Sequence, residues 1–380
     1  MKSAAPDNAA ESMFDDNQSA KLLSVLQNSE EILERKRALV GFDGYIDRLV
    51  RLRKNQNVPP DFFNSVGEFT GFITNYANQS ADINVKKIED KIGGNGPILA
   101  GALARKGVPL TCIGALGYPE LEKIYEPLSG ICNLISVEET GFTFILEFDD
   151  AKIMFGDSDS FYNITWERLE EIIGHSELLR LFDECDMLCF TNWSALFESN
   201  NLLEGVVRTA RAFSNKPRSI FFDIADPAPK TSAQFQEFFR LLGEARESFE
   251  VILGLNPKEA LIAYNHFFST EKTAYSDRLA EKLLLEMPVD ELVVHALDYA
   301  VAGGKNDALQ RAPNYLVEKP AVLTGGGDNF NSGYCLGKLL GQNPELCACL
   351  GNISVNIYVA TGKAPRVPDI VELIKKRGHQ

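Results

Sequence analysis

Histidine is scarce in this chain, with four in 380 residues (His175, His266, His295 and His379), and no two are spaced to grip one metal ion. That argues against a zinc enzyme. Cysteines number seven, an odd count, and no Cys-x-x-Cys pair recurs. Several sit in apolar runs, such as Met187-Leu188-Cys189-Phe190, and read as small buried hydrophobes in a reducing compartment. Positive charge is short as well. Lys and Arg total 38 against 53 Asp and Glu, a net charge of −15, which argues against a broad surface for nucleic acid or anionic membrane. A small anionic ligand needs only local donors and stays open. The chain has no segment long and apolar enough to span a bilayer, and MKSAAPDNAAESMFDDNQSA lacks the apolar core of a signal peptide. The expected setting is the cytoplasm. There is no Walker A loop, and Gly94-x-Gly96-x-x-Leu99 lacks the third glycine of a dinucleotide fingerprint and follows polar residues.

What remains is an ordinary globular composition, 45% hydrophobic and 24% charged. The length suits one large α/β domain with additions, or two ordinary domains. Residues up to about Gln18 are small and polar, and are expected to be poorly ordered. A helical pattern follows, with Leu22, Leu23, Leu26, Ile32 and Leu33 on one side. Beyond residue 37, short apolar runs at 38–42, 110–115, 187–190, 219–224, 251–255 and 292–296 alternate with helical patterns such as 97–106, 202–213, 258–268 and 277–286. Strands buried on both faces and spaced by helices predict a mostly parallel sheet flanked by helices on both faces. Ligands in such folds sit at the carboxyl ends of the strands.

One stretch departs from that pattern. Residues 141–155, GFTFILEFDDAKIMF, read as a β-hairpin about Asp149-Asp150-Ala151-Lys152. Residues 81–92 also alternate in part. Together they predict a small antiparallel lid, able to keep bulk water from an activated group, or an edge hairpin with no gating role.

The most informative residues are 321–334, AVLTGGGDNFNSGY. Gly325, Gly326 and Gly327 run into Asp328, and Phe330, Tyr334, Leu336 and Leu340 then recur at helical spacing. Glycines before a helix let backbone N–H groups converge where the helix dipole favours negative charge. A carboxylate in the same turn could take a proton from a hydroxyl while the cradle stabilises phosphoryl oxygens. A glycine-rich turn with an ordinary first-turn Asp is the alternative.

Three further sites lie after strands or open helices. Asn256-Pro257-Lys258-Glu259 has the form of a capping box, with Pro at the first helical position. The same amide and carboxylate could instead hold the water shell of Mg²⁺. Gly93-Gly94-Asn95-Gly96 opens a helix and lets a ligand approach backbone, with Asn95 offering donor and acceptor. Asp43 and Asp47 follow the first strand, where each could accept from two polyol hydroxyls or serve as a turn residue.

From about residue 37 onward, the order of these sites resembles the ribokinase-like (PfkB) carbohydrate kinases. That family has an acid after the first strand, a Gly-Gly helix entry, an Asn-x-x-Glu and a Gly-Ala-Gly-Asp in this order. Here they correspond to Asp47, Gly93-Gly94, Asn256 to Glu259, and Gly325-Gly326-Gly327-Asp328. The resemblance implies a ribokinase-like α/β domain over 37–380 behind an N-terminal extension of 1–36. Lid strands would come from about 44–58, 81–93 and 132–156, and such lids often mediate homodimer contacts. It implies that Asp328 is the catalytic base and that Gly325, Gly326 and Gly327 form an anion hole. Asn256 and Glu259 would organise Mg²⁺ and the nucleotide phosphates through water, while Asp47, Gly93, Gly94 and Asn95 contact the sugar. Thr324 would lie beside the nucleotide phosphates, and Asn352 would fall near the adenine.

This sequence also departs from the family. Val322-Leu323-Thr324 stands where the family has Asp-Thr-x, so activation by a monovalent cation is not expected. His295-Ala296-Leu297 replaces a phosphate-contacting Thr-x-Gly, leaving His295 as a phosphate donor or a core-edge residue. Near residue 117 the family's paired acids are missing, and Asp226-Pro227 keeps only part of an Asp-Pro-Asn segment. The expected function is Mg-dependent transfer of the γ-phosphoryl of ATP to a sugar or polyol hydroxyl, with ADP as a minor donor variant. The alternative is a ribokinase-like sugar- or nucleotide-binding protein with little transfer activity.

Overall fold

A computed structural model of the chain describes residues 16–212, 216–322 and 324–377. The expectation of a poorly ordered start falls largely on residues outside that range, but Gln18 already belongs to helix α1 (Asp16–Gln27). Helix α2 (Ser29–Glu34) follows, and Leu22, Leu26 and Leu33 are buried as the spacing predicts.

Nine strands make the large sheet. Across it lie β13 (Gln310–Pro313), β12 (Tyr299–Gly304), β11 (Glu291–His295), β10 (Glu250–Leu255) and β9 (Ser219–Asp223), then β8 (Met187–Phe190), β1 (Ala38–Phe42), β4 (Leu110–Gly114) and β5 (Asn133–Ser136). Neighbours from β11 to β5 pair in parallel, and β12 and β13 add an antiparallel edge. The apolar runs form strands because both faces are covered. In β1, Leu39 and Phe42 enter one core, while Ala38 and Val40 enter the other.

The first core packs α6 (Trp166–Ile173), α7 (His175–Glu184), α8 (Ser199–Ala210), α9 (Ser232–Ala245), α10 (Pro257–Phe268) and α11 (Asp277–Glu286). Its middle is aromatic: Phe222 meets Phe238 edge-on at 5.6 Å, and Trp193 lies 4.6 Å from Phe238. Truncating such a ring costs roughly 3–5 kcal/mol. The second core packs α1, α2, α4 (Asn95–Arg105), α5 (Glu126–Ser129), α12 (Gly326–Leu339), α13 (Pro344–Thr361) and α14 (Val367–Arg377). Six of the seven cysteines are buried and all are free, as their apolar surroundings predict. No helix among the described residues is long and apolar enough to cross a membrane.

The residues expected to form a lid make a separate, smaller sheet in the order β3 (Val85–Gly93), β2 (Tyr45–Leu52), β6 (Gly141–Glu147) and β7 (Lys152–Asp157). Its hairpin turn closes with Phe148 N–H donating to Ala151 O at 2.9 Å. Two lid boundaries need correction. Residues 133–136 form β5, which pairs with β4 in the large sheet, so the lid takes only the later part of 132–156. Strand β2 ends at Leu52, because the following chain turns away to form helix α3 (Val66–Thr74). Phe63, with Phe69 and Phe72 of α3, packs on Val50, Leu52 and Leu146, so this chain covers part of its own lid.

Candidate active site

Three helices begin near one another at the carboxyl ends of the strands, and each N-terminus presents backbone donors. At α4, Asp43 fills the terminus from the side. Its carboxylate accepts from Asn95 N at 2.9 Å and Gly96 N at 2.7 Å, and from Asn192 Nδ2 at 2.7 Å. Asp43 is fully buried, and burial pushes its carboxyl above the usual range. This corrects the expectation of a sugar ligand or turn residue: its oxygens are occupied by protein donors, and it anchors α4.

At α10 the capping box is complete. Asn256 Oδ1 accepts from Glu259 N at 3.0 Å, and Glu259 Oε2 accepts from Asn256 N at 2.8 Å. Glu259 is nonetheless costly to ionise. Burial, then the charge of Asp223, pushes it well above the carboxylate range.

Helix α12 differs. Its N-cap is Gly325 in the left-handed region (φ 77°), and no side chain among the described residues caps it. Asp328 sits in the first turn, 6% exposed, and its Oδ1 has no hydrogen-bond partner among the described residues. Burial, then the charges of Asp223 and Asp43, raises its pKa, while a hydrogen bond from Asn95 opposes the shift. His295 lies under this turn, its Cε1 3.6 Å from where a Cβ on Gly327 would stand. Its ring packs against Phe330 at 4.7 Å, and burial lowers its pKa to about 4. A neutral imidazole therefore both closes the core edge and faces the cavity.

That cavity, about 790 Å³, runs from Asn256, His295 and Gly325–Gly327 to an apolar slot between Tyr315, Leu316, Val355 and Val359. Thr324 abuts its polar end, its carbonyl accepting from the Tyr358 hydroxyl at 2.9 Å. Asn352 requires correction. It is fully buried, and its amide donates to Ala312 O and Pro313 O at 3.1 Å, pinning α13 to β13. Asn356, one turn later, is the residue that lines the slot, next to Asn314.

On the lid side, Asp47 of β2 is half-buried; burial raises its pKa, and Thr143, its register partner on β6, opposes the shift. Gly93 of β3, opposite Tyr45, lies against Asp47: a Cβ there would strike the Asp47 carboxylate, and glycine leaves that space free. Gly94 then caps α4 and Asn95 follows, bonded at 3.4 Å to Asp223 and near enough to Asp328 to oppose its upward pKa shift. A short run of chain thus joins Asp47 to Asp328.

The sequence reading missed Asp223. It ends β9, and its carboxylate accepts from Ala225 N at 2.8 Å and from Asn331 of α12 at 2.7 Å. It is also the first charge acting on both Asp328 and Glu259. A carboxylate closing an otherwise apolar run was the available signal. Asp226, the acid noted instead, pairs with Lys258 in a solvent-exposed bridge.

A protein-family model described as prokaryotic ketohexokinase matches residues 14–377. The chain is 24% identical over 359 residues to a ketohexokinase from Haloferax volcanii, covering 91% of this chain and 93% of that protein. Among solved structures, adenosine kinase from Sinorhizobium meliloti aligns with TM-score 0.64 at 16% identity, covering 90% of this chain and 98% of that one. A putative ribokinase II from E. coli, in complex with ATP and Mg²⁺, aligns with TM-score 0.61 at 16% identity, covering 90% and 99%. These structures share the ribokinase fold with this chain.

Proposed function

The chain belongs to the prokaryotic ketohexokinase family, an ATP-dependent carbohydrate kinase, and from that premise we propose that it phosphorylates a hydroxyl of a ketohexose such as fructose. The observation that carries the site reading is the contrast among three helix N-termini. Those of α4 and α10 are filled by Asp43 and by the Asn256–Glu259 box, whereas α12 keeps its donors open beside a buried, half-partnered carboxylate.

In this reading the sugar lies between Asp47, Gly93 and Asn95, with one hydroxyl against Asp328. Asp328 accepts the hydroxyl proton as the oxygen attacks the γ-phosphorus, and ADP leaves. Charge on the equatorial oxygens meets the N–H groups at the start of α12, oriented before the reaction begins. The adenine occupies the slot by Val355 and Val359, with His295 as a neutral donor near the phosphates.

The residues present fit Mg²⁺ held through water. The described residues contain no group of three or more His, Cys, Asp or Glu side chains placed to grip a metal directly. Glu259 is already committed to its cap, and its crowding by Asp223 and Asp226 favours a nearby cation. Bound there with the nucleotide, Mg²⁺ would neutralise phosphate charge. Met154 and Phe155, both more than half exposed on β7, support contact between two copies through the lid.

The test is ATP-to-ADP turnover with fructose, other ketohexoses, aldohexoses and nucleosides, with Asp328→Asn alongside. Ketohexose-dependent turnover that Asp328→Asn abolishes is expected. Turnover confined to nucleosides would overturn the acceptor, and an active Asp328→Asn variant would overturn the base.

A further inference from the structure

The glycine-rich turn before α12 is held by two carbonyls. Gly325 O accepts from Asn329 N at 3.2 Å and from Asn329 Nδ2 at 2.9 Å. Thr324 O accepts from the hydroxyl of Tyr358, near the end of α13, at 2.9 Å. In a trans peptide the N–H points opposite the preceding C=O. Fixing the Thr324 carbonyl therefore fixes the direction of Gly325 N–H, and fixing the Gly325 carbonyl does the same for Gly326 N–H. Asn329 lies within α12 itself, so among the described residues only Tyr358 ties these carbonyls to another element.

The hydroxyl is seated closely. A Cβ on Gly325 would stand 2.8 Å from it, so glycine at this position serves two needs, its positive φ and room for Tyr358. Burial raises the Tyr358 pKa, which keeps the group a donor. The same stretch of α13 supplies Val355 and Val359 to the apolar slot, and Val359 O accepts from Ala321 N at 2.7 Å. One helix face thus borders the nucleotide slot and steers the turn.

We infer that Tyr358 is a positioning residue for phosphoryl transfer, aiming the open donors of the glycine-rich turn by holding the Thr324 carbonyl. The inference rests on the reading of that turn as the anion hole. It concerns the transition state, because donors misdirected by a fraction of an ångström still donate to a ground-state phosphate but stabilise developing charge poorly.

The experiment uses the full chain with Tyr358→Phe, Gly325→Ala and the double variant, and Asp328→Asn as a separate control. For Tyr358→Phe, kcat is expected to fall about tenfold while KM for the sugar changes less than twofold. Binding of ADP with fluoroaluminate and sugar, a mimic of the transferring phosphoryl group, should weaken by the same factor while ADP alone binds unchanged. Unaltered kcat, or equal weakening of ADP with and without fluoroaluminate, would overturn the proposal. Gly325→Ala should harm the wild type more than it harms Tyr358→Phe, because the added methyl then no longer meets a hydroxyl; strictly additive losses would also count against it. If Asp328→Asn retains turnover, the base assignment fails instead, and the Tyr358 cycle still reports on the turn.

Discussion

Helices α10 and α12 begin in the wall of one cavity, and their first turns are built in opposite ways. At α10 the chain spends Asn256 and Glu259 on its own backbone, with Pro257 at the first helical position. At α12 it places glycines, supplies no side-chain cap among the described residues, and leaves Asp328 Oδ1 without a partner. A filled terminus adds about 1 kcal/mol to the fold. An open one forgoes that gain and keeps preorganised donors for a ligand. Helix capping is thus concentrated in one turn and open backbone donors in its neighbour.

The largest effect should come from Asp328→Asn, which leaves the open turn in place and removes the proposed base. Turnover is expected to drop about 10³-fold with nucleotide affinity nearly unchanged, as measured by steady-state kinetics and nucleotide titration. Gly326→Asp closes the turn electrostatically. A Cβ there meets only Val355 at 3.5 Å, an ordinary contact, and an acid suits a helix start. Thermal stability should therefore hold or rise while kcat/KM for ATP falls about 10²-fold; a matched fall in both would erase the distinction between the two termini.

Asp223→Asn probes the charge the two turns share. Raised by burial and its neighbours, Asp328 is protonated at low pH, so kcat/KM should climb with pH as it ionises. Removing the Asp223 charge lowers that pKa, and the acid limb of the profile should move to lower pH. An unmoved limb would disconnect Asp223 from the base. Smallest is Glu259→Ala, which keeps the Asn256 side chain on the backbone N–H of residue 259 but leaves Asn256 N without its acceptor. A loss of about 1–2 kcal/mol in denaturant unfolding is expected, and Glu259→Gln, which keeps an acceptor, should lose less.

Much of the fold could be read from the chain because burial on both faces leaves a plain mark. The run 187–190 coincides with β8. The segment 277–286 coincides with α11, and the hairpin at 141–155 with β6 and β7. Asp328, Gly325–Gly327 and the Asn256–Glu259 box were legible because each is a local pattern at a helix start. The polar network behind them was not. Asp223 meets Asn95 and Asn331 across 128 and 108 residues, and Asp43 meets Asn192 across 149. No periodicity encodes such pairs. Asn352 was misplaced for a related reason: a position on a helix fixes which turn a residue occupies, but its direction depends on β13, about 40 residues earlier.

Only Asp43 and Gly44 separate β1 from the lid strand β2, and that junction is firmly held. Asp43 is locked to α4 and Asn192, and Gly44 O accepts from Gly141 N at 2.9 Å. A rotation of this sheet about that junction would have its fulcrum beside the proposed sugar site. At ~3.3 Å per residue its arm along β2 reaches ~26 Å, so a 10° swing carries the tip through ~4.5 Å while Asp47, third along the arm, travels under ~2 Å. Such a rotation would displace the far end of the sheet widely while scarcely moving Asp47 at its root.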